Sequence, residues 1–430
     1  MSAHTLHLAL GSAQRDRLTT ADFLWRPVGE PSSFHTTLSP RSEEIGPVPE
    51  ASAELLRLAA LVYLVDRTAS RPRSWVRELE LLVPVFDPDR WAPIADQVNG
   101  ALALLTGDDW HVEFEARRSP ARRRVQRLIE PAERVSLFSG GADSLCGLLV
   151  SLSDGVEPHL VSHWDWTIVG GTQNKLVDLV EGEFGVTLSR DATRLGRRTR
   201  QIWTHVNFPK ERTSRSRSIL FIALGLAAAA LRDAELWIPE NGFASLNLPL
   251  APERRGALST RTTHPQFIDE LQSIVSAVGI GVTMVNPFES ITKAQIFRRV
   301  ADLYGDDVAA RIISASHSCG RPGAHWEGFD PGAQCGVCFG CLVRRAAFIA
   351  SGLDDGTFYI EEHLRGDAAR RSAWIENRRQ DAAAVEYRAQ RPYTLADVLA
   401  ASLPARIDPE SALDLATRGA SELDRLDIPT

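Results

Sequence analysis

Residues 139–144, Ser-Gly-Gly-Ala-Asp-Ser, set two adjacent glycines, two hydroxyls and a carboxylate between the apolar run RVSLF and the helix pattern DSLCGLLVSL. Glycines at such a turn let the backbone approach a phosphate and adopt positive φ. The helix that follows offers free N–H groups and the positive end of its dipole. Ser139 and Ser144 add hydroxyl donors, and Asp143 is suited either to holding Mg²⁺ or to ordering the loop. A strand-turn-helix with a simple Asp or Ser cap explains one of these polar residues, not the set. The string is neither G-x-G-x-x-G nor G-x-x-x-x-G-K-[ST], which disfavours a dinucleotide fingerprint and a Walker loop alike.

The second cluster is made of thiols. Four of the five cysteines, Cys319, Cys335, Cys338 and Cys341, fall in the spacing C-x15-C-x2-C-x2-C. Four soft thiolates suit a closed tetrahedral zinc site, with no open position for water activation, so a structural Zn²⁺ is expected. His317 and His325 lie close enough in sequence to replace a thiolate, although each reads more readily as a surface or capping histidine. Cys146, on the helix after the glycine turn, reads as a small buried apolar residue.

These residues need a scaffold, and from Arg134 the chain alternates strand and helix patterns: RVSLF, PHLVSHW, VTLSRD, ELWIP and VTMVNPF, each followed by a helical run. Five such units predict an α/β fold with a parallel sheet covered by helices on both faces, and ligands at the carboxyl ends of its strands, where SGGADS falls. Residues 1–125 mix strands (LHLAL, VRELELLVPV, WHVEFEAR) with two helices and read as an α+β domain; 126–355 form the parallel-sheet domain with the zinc element at 317–345; 356–430 form a helical tail that packs on the rest or makes a homo-oligomer. The best apolar stretch, SILFIALGLAAAAL, falls short of the roughly 20 residues a bilayer needs. The N-terminus has no signal-peptide pattern. A cytoplasmic protein without membrane contact is therefore expected. The net charge of −7 argues against general affinity for nucleic acid, while the basic run at 194–218 reads as a solvated loop or a phosphate-binding segment.

The hexapeptide resembles the SGGxDS loop of the PP-loop ATP pyrophosphatases, which cleave ATP to AMP and pyrophosphate and activate a carboxylate or carbonyl oxygen as its adenylate. The resemblance implies ATP and Mg²⁺, with Ser139, Gly140, Gly141, Asp143 and Ser144 cradling the β- and γ-phosphates. Together with the cysteine cluster, residues 133 to about 350 are similar to the QueC family, the 7-cyano-7-deazaguanine synthases of the queuosine pathway. Within that likeness SRSRSILFIALGLAAA puts Arg217 at a phosphate-facing arginine, NPFESITKAQI puts Lys293 at the family's lysine, and Arg344 trails the zinc element. The family adenylates 7-carboxy-7-deazaguanine, captures ammonia as an amide and uses a second ATP to dehydrate that amide to a nitrile.

Two segments depart from the family pattern: SHWDWTIVGGTQNKL after the second strand, and PENGFASLNLPLAPERRGALSTRTTHPQF where a purine-binding loop would lie. The second is expected to line the acceptor pocket with Glu240, Asn241, Arg261, Thr262 and His264, Glu240 accepting from a guanine-like edge and Arg261 pairing with a carboxylate. Long QueC-like chains resemble those of the Qat and type IV CBASS anti-phage operons, which implies deazaguanine chemistry directed at a partner protein from the same operon. The expected activity is an ATP-dependent carbon–nitrogen ligase forming an amide of a deazaguanine acid. The alternatives are a biosynthetic nitrile synthase, a tRNA-modifying PP-loop enzyme, and a non-catalytic nucleotide-binding module of a defence complex.

Overall fold

The computed structural model describes residues 4–10, 23–25, 32–37, 48–71, 76–116, 129, 131–165, 167–200, 207, 208, 211, 215–251, 261–320, 328–330, 332–361 and 380–427. The boundary expected near residue 125 lies outside them. Strands β1 (His4–Leu10), β2 (Phe23–Trp25) and β3 (Phe34–Thr36) precede helix α1 (Glu50–Thr68), β4 (Glu78–Val85), α2 (Pro88–Trp91), α3 (Ala95–Thr106) and β5 (Asp109–Ala116). Four of these strands make a parallel sheet in the order β2-β1-β4-β5.

The second half alternates as its pattern predicts: β6 (Arg134–Leu137), α4 (Ala142–Ser153), β7 (His159–Trp164), α5 (Thr167–Phe184), β8 (Arg190–Arg197), α6 (Arg217–Ala230), β9 (Glu235–Trp237), α7 (Gly242–Leu246), α8 (Pro265–Ala277), β10 (Met284–Val285) and α9 (Lys293–Tyr304). The sheet order is β10-β9-β6-β7-β8-β3, parallel from β10 to β8. The last strand, β3, comes from the N-terminal segment and runs antiparallel to β8, Phe34 facing Arg197 and Thr36 facing Leu195. A strand from the first sheet's segment thus closes one edge of the second.

Helix α6 shows why the two halves share a core. Its sequence is apolar almost all round, which suits a helix buried on more than one side. It packs on α1, itself buried along nearly its whole length, and on strands β6, β7 and β9. Gly225 allows the close approach: a Cβ there would meet Leu137 Cδ2 and Leu236 Cδ1, each at 2.7 Å.

Strand β8 starts later than its apolar run suggests. VTLSRD reads as a strand from residue 186, but Leu188 is a buried plug whose N–H donates to Glu181 Oε1 at 2.8 Å, and pairing begins at Arg190. The front of the basic run is therefore strand. Arg194 stacks over Trp164 at 5.2 Å and Arg197 over Phe208 at 5.8 Å. Its residues 201–206, 209, 210 and 212–214 lie outside the description.

Helices α10 (Asp306–Ser314) and α11 (Phe339–Ser351) flank the cysteine cluster, and α12 (Gln380–Ala389), α13 (Leu395–Leu399) and α14 (Pro409–Leu423) follow. Helix α14 lies against α11 and α7. Among the described residues no helix is long and apolar enough to cross a membrane.

Candidate active site

The glycine turn lies between β6 and α4, at the carboxyl end of a central strand. Gly140 has φ +85°, the left-handed conformation glycine tolerates best. The two hydroxyls build the loop itself. Ser139 N–H donates to Ser144 Oγ at 3.2 Å, Gly141 N–H to Ser139 Oγ at 3.2 Å, and Ser144 Oγ to the Gly141 carbonyl at 3.0 Å. Among the described residues no side chain caps α4, whose N-cap is Gly141, so its positive end stays open to an anion.

Two outside groups hold the turn. Gln173 of α5 donates through Nε2 to the carbonyls of Ser139 and His163, both at 3.2 Å, and His317 N–H donates to the Gly140 carbonyl at 3.0 Å. Gln173 was not singled out in the sequence, yet a signal existed: it is the one polar residue on the buried face formed with Leu176, Val177 and Val180.

Asp143 is buried on the first turn of α4. Its Oδ2 accepts from Lys293 Nζ at 2.7 Å and Asn241 Nδ2 at 3.0 Å. The approach of Asn241 depends on Gly147, one turn further along: a Cβ there would meet Pro239 Cγ at 2.4 Å, so glycine lets the 239–241 segment lie against the Asp143 face of the helix. Asn286 fixes that segment, donating to the Glu240 carbonyl at 2.9 Å and accepting from its N–H at 3.2 Å. Asn241 Oδ1 caps α7, accepting from Ala244 N–H at 2.9 Å.

The Glu240 carboxyl lies against Asp143. Burial would raise both acids, but the Lys293 ammonium brings Asp143 below the usual carboxylate range. Burial and then the Asp143 charge push Glu240 well above it. Of the two, Glu240 is the acid whose neutral form the site favours and Asp143 the one whose charge it favours. Asp143 Oδ1 is buried and has no hydrogen-bond partner among the described residues. Two adjacent carboxyls, one with an open oxygen, fit a hard cation such as Mg²⁺.

Two clefts meet at this point. The larger, about 570 Å³, runs from Asp143, Glu240 and Lys293 to Phe339 and Asp381. The smaller, about 360 Å³, runs from the glycine turn past Thr172 to Arg217 and Phe221. Ser139, Gly141, Ser144, Glu240 and Thr262 reach both. Sequence-selected residues that assemble here are therefore the glycine turn, Asp143, Lys293, Arg217, Glu240, Asn241 and Thr262. Arg261 and His264 line neither cleft. His264 is buried as the N-cap of α8, its Nδ1 accepting from Gln266 N–H at 3.2 Å, and burial followed by the nearby Arg261 charge lowers it to about 4. Arg261 is half-buried, and burial lowers its guanidinium from the ordinary value.

The four cysteine sulfurs lie within 4.8 Å of one another. Their separations are 3.8 Å for Cys335–Cys341, 3.8 Å for Cys319–Cys338 and 3.5 Å for Cys338–Cys341. A tetrahedron with Zn–S bonds of roughly 2.3 Å has edges of about 3.8 Å, so the set fits zinc. Gly340 makes room for it, since a Cβ there would meet the Ser318 carbonyl at 2.3 Å. Arg344, fully buried one turn along α11, donates to Ser316 Oγ (2.7 Å), the Ile313 carbonyl (2.7 Å) and Thr357 Oγ1 (2.8 Å). Cysteine centre and arginine together hold the 316–320 segment, whose His317 supports the glycine turn. His325 lies outside the described residues. Cys146 is buried in α4, and burial pushes its thiol up, so it is no ready thiolate.

A family model described as queuosine biosynthesis protein QueC matches residues 262–352. The 7-cyano-7-deazaguanine synthase of Myxococcus xanthus is 26% identical over 258 residues, which cover 53% of this chain and 97% of that protein. The synthase of Ralstonia pickettii is 27% identical over 243 residues, 53% of this chain and 98% of that protein. That of Novosphingobium aromaticivorans is 31% identical over 154 residues, 34% and 54% of the two chains. Nearly the whole length of the Myxococcus and Ralstonia synthases thus aligns with about half of this sequence, and residues 262–352 carry a QueC domain, so the chain is QueC-like over that half.

Proposed function

We propose that this chain is an ATP-dependent ligase that adenylates a 7-carboxy-7-deazaguanine-like acid and passes it to an amine, forming an amide. The observation that carries the reading is the Asp143–Glu240–Lys293 group at the meeting point of two clefts, one of a size for a nucleoside and one for an acceptor. The glycine turn and the open end of α4 bind the β- and γ-phosphates. Arg217 and Lys293 add positive charge where negative charge builds on the leaving pyrophosphate. Asp143 Oδ1 and Glu240 would hold Mg²⁺, which when bound neutralises phosphate charge. The acid's carboxylate oxygen attacks the α-phosphorus and pyrophosphate leaves; the amine then attacks the acyl carbon and AMP leaves with the former carboxylate oxygen.

The relatives' name extends this chemistry to a nitrile, and the same site serves that outcome if ammonia is the amine and a second ATP follows. A larger amine, carried on a partner protein of an anti-phage operon, is the finer form of the reading. It is favoured by Asp381, which lies beyond the QueC match, walls the larger cleft and accepts from Phe339 N–H at 2.8 Å. A tRNA-thiolating reading lacks a thiolate, since Cys146 is buried and the other four cysteines are clustered. Incubating the protein with ATP, Mg²⁺ and 7-carboxy-7-deazaguanine should release AMP and pyrophosphate; no AMP would end the reading. Mass spectrometry of the products separates free nitrile, free amide and a partner adduct.

A further inference from the structure

Two carboxylates far from the glycine turn in sequence, the buried Asp66 and the half-buried Glu422, hold the starts of two helices that border the site. Asp66, near the end of α1, turns one oxygen to Arg77 (Nη2 to Oδ1, 2.7 Å) and the other to the start of α6. Its Oδ2 accepts from the N–H of Arg215 at 2.7 Å, the N–H of Ser216 at 3.0 Å and the Ser216 hydroxyl at 2.8 Å. Ser216 is the N-cap of α6 and makes no side-chain cap within the helix; the first helical residue is Arg217, in the wall of the smaller cleft. Asp66 is itself held rigidly, because Arg77 also donates through Nε to Asp108 Oδ1 at 3.1 Å, just ahead of β5.

Glu422, in the last turn of α14, repeats the arrangement at α9. Its carboxylate accepts from the Thr292 hydroxyl and, at 3.3 Å, from Ala294 N–H. Thr292 is the N-cap and Lys293 the first residue of α9, with its Nζ on Asp143. Arg418 of the same helix donates to the Gln295 side chain and, at 3.2 Å, to the Ser290 carbonyl. Position matters here. Side chains at a helix start lean back past the N-terminus, so the placement of that first backbone unit decides where a long cation reaches. A carboxylate at this end also interacts favourably with the helix dipole.

We propose that the segments flanking the QueC-like half are positioning elements of the nucleotide site, Asp66 setting Arg217 and Glu422 setting Lys293. The proposal rests on the ATP-activating reading above.

The test uses the full chain carrying S216A, E422A or E422Q. S216A is preferred to D66N, which would leave Arg77 buried beside a neutral partner. S216A and E422A should each lower kcat/KM for ATP about fivefold, the worth of a helix-start contact. E422Q, which keeps an acceptor for Thr292, should recover most of the loss. In double-mutant cycles E422A should add nothing to K293M, and S216A nothing to R217M. Full additivity or an unchanged kcat/KM overturns the proposal. Amide exchange of the ligand-free protein gives a readout without nucleotide: protection at 215 and 216, whose N–H groups Asp66 accepts, should fall in S216A and at 294, whose N–H Glu422 accepts, in E422A, and unaltered exchange overturns the proposal. If the exchange changes appear while wild-type protein makes no AMP, the function reading fails and the positioning role stands.

Discussion

At the scale of single residues, Asp143 and Glu240 show what the sequence discloses and what it hides. Asp143 is legible because SGGADS is local: its glycines, hydroxyls and carboxylate are consecutive, and a turn needs little else to take shape. Its pairing with Lys293 is not legible, since 150 positions separate them and only folding brings them to 2.7 Å. That pairing alters the choice of test. Asp143→Ala would strand a buried ammonium, which is expected to cost about 3–5 kcal/mol, whereas Asp143→Asn keeps shape and a hydrogen-bond acceptor. Asp143→Asn should fold and lose AMP formation by roughly a hundredfold or more, read by AMP release beside a melting curve. Glu240→Gln copies the neutral form that burial beside Asp143 favours. Its melting temperature should match wild type while AMP formation falls; a marked drop in melting temperature would show that the Glu240 charge, not its shape, stabilises the site. Arg261 and His264 were read from charge and loop position alone, which identify polar residues but not the direction in which they face.

At the scale of elements, hydrophobic period located the parallel strands from β6 to β10 and their helices, because these elements each bury enough of themselves to carry a pattern. It did not locate β2 or β3, three residues each, β3 being paired entirely by β8; the helical tail expected at 356–430 is present, and the apolar face of its last helix, Ala412, Leu415, Ala416 and Leu423, is covered by α7 and α11. The cysteine element was legible from spacing, and the structure adds its connection to the glycine turn through His317. Cys338→Ser should therefore lose zinc and, with it, much of a binding energy on the order of 10 kcal/mol. Metal analysis should give one zinc per wild-type chain and less in the variant, accompanied by protease sensitivity. Zinc-free wild-type protein that is soluble and makes AMP would refute this.

At the scale of the whole molecule, two buried histidines predict how it responds to acid. His163, whose Nε2 bonds the Leu195 carbonyl at 2.9 Å, is lowered to about 4 by burial and then by the charge of Arg217; His264 is lowered to about 4 as described. Unfolded histidines titrate near 6.5, so between pH 6.5 and 4 the unfolded chain binds more protons than the folded one. Stability is thus complete above about pH 6.5 and falls as pH drops towards 4, by on the order of 3 kcal/mol per histidine. Melting temperature followed across that window should decline, and His264→Asn, which keeps a capping oxygen, should make the decline shallower. A flat profile would show that neither ring is held neutral.

The antiparallel strand at the sheet edge also sets a timetable for synthesis. Phe34 leaves the ribosome well before its partner Arg197, roughly 160 residues ahead. At translation rates of about 5–20 residues per second that gap is roughly 8–30 s, during which the first segment waits without the strand it must pair with. Pairing over such a separation is slow because a long loop must close before any contact rewards it. The nascent N-terminal segment therefore stays without its edge partner over that interval, and the second sheet reaches its full width only once β10 has also been made.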